Sequence, residues 1–158
     1  MIRNAVVGLI LGLSLPSAVI ADDPSEILLT VSGLGDPVTY DREALEALGA
    51  ESFETSTIWT QGTQTFTGVS LVKLLGNFEV DKGQFSATAI NDYAVAIPVS
   101  DAVEGGPIIA YEMNGAPMSV RDKGPLWLVY PYDANPDYRS EVIYSRSIWQ
   151  LDRIDIAK

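Results

Sequence analysis

Beyond residue 21 the apolar residues of this sequence come only in short runs, each closed within a few positions by Gly, Pro, Asn or Asp. That punctuation leaves no room for long helices and favours strands linked by tight turns. Strands are expected at Ile27 to Val31, Phe53 to Trp59, Gln84 to Ile90, Tyr93 to Pro98, Ile108 to Met113, Leu126 to Tyr130 and Ser147 to Ile156. Asn91 and Asp92 suit a two-residue hairpin, and Asn114-Gly115 is the strongest short hairpin signal in the chain. Two short helices fit between them. Asp41 caps one that carries Leu45 and Leu48 and stops at Gly49; Ser70 caps another that carries Leu71, Leu74 and Leu75 and stops at Gly76. The expected fold class is α+β, a single strand-rich mixed domain with short helices and no internal repeat.

With 47% hydrophobic and 20% charged residues in 158, the chain has the composition of a packed domain and not of a disordered one. The 10 Lys and Arg against 21 Asp and Glu give a formal charge of -11, which would repel a phosphate backbone, so nucleic acid is not expected as a partner. There is no Cys and no His. That removes thiolate and imidazole ligands, disulfides and a Ser-His-Asp triad. The N-terminus places Arg3 before the apolar run Ala5 to Leu15, then Pro16 and small residues, then Asp22 and Asp23. This is the layout of a secretory signal cleaved after Ala21. A membrane anchor is the other reading, but the run is shorter than the roughly 20 residues that span a bilayer. The expected division is a signal at 1–21 and one domain at 22–158, located in the periplasm.

Three motifs carry chemistry in principle. Ser70-Leu-Val-Lys73 has the spacing of a Ser-Lys acyl enzyme but lacks that group's companion motifs, and reads as a helix cap followed by a surface Lys. Asp133-Ala-Asn135-Pro-Asp137 imitates the opening of a calcium loop, yet Tyr138 and Tyr144 stand where Gly and Glu belong, so a solvated acidic loop is expected. Arg121-Asp-Lys-Gly-Pro-Leu-Trp127 packs a cation, an anion and a second cation at the mouth of an apolar strand. Arg beside Asp offers donors and acceptors that read a flat heterocycle, with Trp59, Tyr93, Trp127 and Trp149 as stacking surfaces. The same residues also fit a local Arg121–Asp122 ion pair that only orders a turn, with the aromatics in the core.

Six blocks in order carry a resemblance: Thr55 to Thr60 (TSTIWT), Phe66 to Leu75 (FTGVSLVKLL), Ala89 to Pro98 (AINDYAVAIP), Asn114 to Met118 (NGAPM), Arg121 to Pro131 (RDKGPLWLVYP) and Arg146 to Ile156 (RSIWQLDRIDI). Together they resemble the molybdopterin-binding domain of the sulfite oxidase superfamily, and within it small exported pterin-binding proteins that regulate cyclic-di-GMP enzymes of the inner membrane. The enzymes of that superfamily place a Cys ligand to molybdenum in the segment that here reads Glu54-Thr-Ser-Thr-Ile-Trp59. What the resemblance implies is therefore a non-catalytic, exported protein that binds a reduced pterin and reports it to the periplasmic domain of a membrane partner. No catalytic residue and no metal ligand is assigned, and the molybdenum cofactor is not expected. In this reading Trp59 stacks on the ring, Asp122 accepts from its amino and amide hydrogens, Arg121 and Lys123 donate to its oxygens, and Asn91 and Tyr93 close the rim. The alternatives are a molybdopterin-dependent oxidoreductase with an unusual or absent protein ligand, and a scaffold that binds only protein.

Overall fold

A computed structural model describes residues 25–157, so the expected signal at 1–21 lies outside the described residues. Two five-stranded sheets form the domain. The first holds β1 (Leu29–Ser32), β2 (Val38–Tyr40), β5 (Gln84–Ala89), β6 (Ala94–Pro98) and β10 (Leu151–Ile156), in the order β2-β1-β10-β5-β6. The second holds β3 (Ala50–Ser56), β4 (Thr63–Ser70), β7 (Ile108–Met113) and β8 (Ala116–Pro117) in that order, with β9 (Trp127–Val129) also paired to β7. All described pairings are antiparallel except β1 with β10, where Thr30 faces Arg153 and Val31 faces Ile154. An isolated bridge between Trp127 and Trp149 joins the start of β9 to the segment before β10.

The alternation read from the sequence places the core. Phe85, Ala87 and Ala89 of β5 and Leu151, Ile154 and Ile156 of β10 are buried, and they meet Phe66, Val69, Ile108, Ile109, Trp127 and Leu128 from the second sheet in one cluster. The step from Leu151 to Ile154 breaks the two-residue period because the β10–β5 register shifts between Leu151 and Arg153. Three α-helices among the described residues pack on the sheets: α1 (Arg42–Ala47) against β2 and β4, α2 (Leu71–Gly76) against β4, and α3 (Glu141–Arg146) against β6. Asp41 caps α1 by accepting from the Ala44 N–H at 2.8 Å. Asn114 and Gly115 turn β7 into β8 with φ of 54° and 78°, the paired positive values of a two-residue hairpin.

Several expectations are corrected. The strand expected at Phe53 to Trp59 runs instead from Ala50 to Ser56, and Trp59 stands in the turn that follows. No strand is expected from the sequence at residues 63–70, yet β4 runs there; it lies between β3 and β7, and its Thr and Gln side chains occupy the less buried positions. Ser70 sits at the cap position of α2 but makes no capping hydrogen bond, and α2 includes Gly76. Four residues, Ile90 to Tyr93, link β5 to β6 in place of the two-residue hairpin expected at Asn91 and Asp92; the Ala89 N–H donates to the Tyr93 C=O at 2.8 Å, and only Asp92 is left-handed, at φ 66°. The third helix, α3, has no counterpart among the elements expected from the sequence. Its signal is Ser140, which accepts from the Ile143 N–H, with Glu141 in the first turn.

Candidate functional site

A cavity of about 260 Å³ opens where the Trp59 turn, the β5–β6 hairpin, α3 and the segment before β10 meet. Its lining includes Trp59, Asn91, Tyr93, Tyr144, Trp149 and Gln150, and no lining side chain carries a charge. Trp59 is its structural centre. The indole meets the rings of Trp149, Tyr144, Trp127 and Tyr132 edge-on, at centroid distances of 5.5, 5.7, 5.8 and 6.3 Å. Trp127 is itself fully buried and donates its indole N–H to the Ser147 carbonyl at 3.2 Å. Tyr132 donates to the Ser147 hydroxyl at 2.6 Å, and burial pushes its phenol up to about 12, so it stays neutral. Tyr93, by contrast, is 56% exposed at the rim.

Local chemistry fixes the Trp59 turn. The Thr57 hydroxyl accepts from the N–H groups of Trp59 and Thr60, both at 3.0 Å, a side-chain turn that replaces backbone pairing. One residue earlier, the Asp133 carboxylate accepts from the Ser56 N–H and hydroxyl, both at 2.7 Å, and pairs with Arg139. Asp133 returns the contact by donating its N–H to the buried Thr55 hydroxyl at 3.1 Å. The segment aligned by resemblance with a metal-binding Cys therefore has its Thr55 and Ser56 hydroxyls engaged in internal hydrogen bonds. Asp133, read from sequence as the start of a solvated acidic loop, is the clamp on this turn.

The side-chain and backbone hydrogen bonds from Ser56, then the Arg139 guanidinium, hold the Asp133 carboxyl below its usual range. A depressed native pKa gives stabilisation that is complete above the ordinary Asp value of about 3.9 and lost as pH falls through the lower native value. The thermal-melt advantage of the parent over Asp133→Asn should accordingly be constant near neutrality and shrink below about pH 4. An advantage that grows on acidification would contradict the clamp.

Of the residues singled out from sequence, Trp59, Asn91 and Tyr93 line this one cavity. Lys123 stands beside it, its ammonium 5.4 Å from the Trp149 ring and 5.7 Å from that of Trp127. Arg121 and Asp122 are not among the lining residues. The Arg121–Asp122 ion pair considered as the alternative does not form either: Asp122 accepts from the Ser119 hydroxyl at 2.8 Å, and Arg121 is exposed with no side-chain partner among the described residues. The loop is nonetheless tied to the cavity wall, because Gln150 donates its N–H to the Lys123 carbonyl at 2.9 Å and its side-chain amide to that of Val120 at 2.8 Å. Sequence reading missed Tyr144, Ser145 and Ser147, which enter the wall through α3 and the residue after it. Among the described residues no group of three or more His, Cys, Asp or Glu is placed to hold a metal ion.

A crystal structure of the sulfane dehydrogenase SoxCD from Paracoccus pantotrophus has a similar fold, with a TM-score of 0.64 and 17% sequence identity. The match covers 87% of this chain and 40% of that one, so it speaks to the fold of a part of that protein. No curated protein matches the sequence. Residues 18–134 match the family described as the oxidoreductase molybdopterin-binding domain, a span that takes in β1 to β9 and the Trp59, Asn91, Tyr93 and Lys123 positions. With most of its length inside that match and a fold shared with a dehydrogenase structure, the chain belongs to the oxidoreductase molybdopterin-binding domain family.

Proposed function

We propose that this chain binds a molybdopterin-type ligand by its pterin ring, seated in the cavity beside Trp59. The observation that carries the reading is the lining: aromatic surfaces from Trp59, Tyr93 and Trp149 around amide groups of Asn91 and Gln150, with no charge among them. A flat, polar, uncharged heterocycle needs those surfaces to stack on and those donors and acceptors at its edge. The Asn91 side-chain oxygen is already used by the Tyr93 N–H at 3.2 Å, which leaves its amide N–H groups to donate to a ring carbonyl. Lys123 and Arg121 would face an anionic tail from one side, Lys123 from its place over Trp149. The residues thus fit the pterin, whereas the engaged Thr55 and Ser56 hydroxyls offer a metal no soft ligand.

Family membership supports the oxidoreductase alternative more than the signalling role expected from the resemblance. When bound with its metal, such a cofactor supplies two-electron oxidation and reduction at molybdenum. The protein's part would be to orient the ring, exclude water from its stacked face and hold its tail. Metal and pterin analysis of protein purified from the periplasm separates the readings: molybdenum with turnover gives the oxidoreductase, a metal-free pterin gives the sensor proposed for a membrane partner, and neither gives a scaffold. Binding itself is tested by titrating a tetrahydropterin against the tryptophan fluorescence. Trp59→Ala should weaken binding by about 1 to 3 kcal/mol, the range found for stacking of flat bases on aromatic residues. Because Trp59 also packs against four rings, Tyr93→Ala supplies the control at an exposed site and should lower affinity several-fold without moving the melting temperature. Unchanged affinity in both variants would remove the ligand from this cavity.

A further inference from the structure

What the cavity beside Trp59 can read on a ring is set by which of its polar groups are already engaged. Its wall carbonyls are: that of Ala89 accepts from the Asp92 N–H, that of Ser147 from the Trp127 indole, that of Ile148 from the Leu128 N–H and that of Gln150 from the Ile90 N–H. The Ser147 hydroxyl is engaged twice, as donor to the Ile143 carbonyl and as acceptor from Tyr132. No carboxylate lines the wall, and Asp122, expected from the sequence to accept from the ring's amino group, donates no contact there and is held by Ser119.

Two side-chain amides remain, and each is pinned. A loose Asn or Gln amide can turn over and offer either its oxygen or its nitrogen, so it tells a ring carbonyl from an amino group poorly. Here the Asn91 oxygen accepts from the Tyr93 N–H at 3.2 Å, which leaves the amide nitrogen on offer, both hydrogens unclaimed among the described residues. Gln150 is held the opposite way: its nitrogen donates to the Val120 carbonyl at 2.8 Å, which leaves its oxygen on offer. The Ile90 N–H bond to the Gln150 carbonyl, 2.9 Å, joins the loop that bears Asn91 to the segment that bears Gln150. Gln150 is also left-handed, at φ 53°, a conformation costly for a residue with a side chain and kept here by its bonds to Lys123 and Val120.

From this pairing we propose that the cavity selects its heterocycle by a lactam edge: Asn91 donates to a ring carbonyl, and Gln150 accepts from the ring N–H beside it. A pterin carries that edge on its pyrimidine ring. A ring with an amino group in place of the carbonyl presents the reverse pattern, a donor against Asn91 and a bare nitrogen against Gln150, and neither amide can turn over without giving up its backbone partner. The inference rests on the pterin reading of this cavity and adds what the site rejects.

The test uses three probes with one bicyclic frame: pterin, lumazine, in which the amino group is a second carbonyl, and 2,4-diaminopteridine, which has no carbonyl. Each is titrated by calorimetry into the labelled full chain, as such and reduced to its tetrahydro form, at a pH where the rings are uncharged, with amide chemical shifts locating the site. Pterin and lumazine should bind with similar affinity and move Asn91, Tyr93 and Gln150. The diamine should bind about tenfold more weakly, the loss of one hydrogen bond to two facing donors. Asn91→Asp keeps the acceptor for the Tyr93 N–H and replaces the donor by a second acceptor, so it should lose affinity for pterin and lumazine and gain it for the diamine at an unchanged melting temperature. A diamine that binds as tightly as pterin at the same residues, or an Asn91→Asp variant that keeps the parent's order of affinities, would overturn the lactam selection and leave the cavity a pterin site. No binding of any probe in either form, or shifts elsewhere in the chain, would overturn the pterin reading itself and the selection with it.

Discussion

A Gly68→Ala variant should fail to fold, or melt far below the parent. In β4, Gly68 lies opposite Ala110 of β7, next to the register shift at Thr67, and the two backbones approach where a side chain would normally keep them apart. A Cβ built on Gly68 would stand 2.0 Å from the Ile109 carbonyl oxygen and 2.6 Å from the Ala110 Cα. Both contacts are with backbone, so no rotamer change relieves them. Overpacking of flexible cores costs about 1 to 3 kcal/mol, and a clash between two ladder strands belongs at or beyond the top of that range. Because β4 is central to the second sheet, with β3 on its other side, the strand has nowhere to shift. Chemical denaturation checks this; a variant within 1 kcal/mol of the parent would mean the β4–β7 spacing is looser than described.

Asp101→Ala is expected to have the second large effect, and to reach the candidate site from a distance. The Asp101 carboxylate, only 13% exposed, accepts from the Tyr130 hydroxyl at 2.8 Å and pairs with Arg146 at 2.9 Å. Burial first, and then the Asp101 charge, push the Tyr130 phenol far up, so it acts only as a donor here. Arg146 ends α3, the helix that brings Tyr144 and Ser145 to the cavity wall. Removing the carboxylate strands a half-buried guanidinium and a buried hydroxyl together. Loss of one partner from a buried pair costs about 3 to 5 kcal/mol, and the partial exposure of Arg146 puts the expectation near 3. Ligand affinity should fall as well, because α3 loses its tether. Destabilisation under 1 kcal/mol would show that solvent serves Arg146 as well as Asp101 does.

The parts of the fold legible in the sequence were those set by local chemistry. Asp41 before α1, Asn114-Gly115 between β7 and β8, and the alternation of β5 each need only neighbours a few residues away. What escaped depends on distant partners. Thr63 to Thr67 is polar enough to read as loop, and becomes strand because β3 and β7 claim its backbone on both sides. Trp59 is placed by Asp133, more than seventy positions along the chain, through a contact no spacing reveals. The site divides in the same way. Six blocks in order pointed to the correct family and to Trp59, Asn91 and Tyr93, which share a cavity. Side-chain directions within a single turn were out of reach: Ser119 draws Asp122 toward itself, and Lys123, left-handed at φ 76°, carries its ammonium to the Trp149 ring while Arg121 stays in solvent.

The place of β10 in the first sheet has a consequence for how the chain folds. This strand, which follows the other described strands in sequence, occupies the middle of its sheet, parallel to β1 on one side and antiparallel to β5 on the other. Until residues 151–156 pair, β1 with β2 and β5 with β6 are two separate hairpins with no strand to join them, and neither is stable alone in water. The sheet closes only by its longest-range pairing, Thr30 with Arg153, which places its completion late in folding and slows the whole.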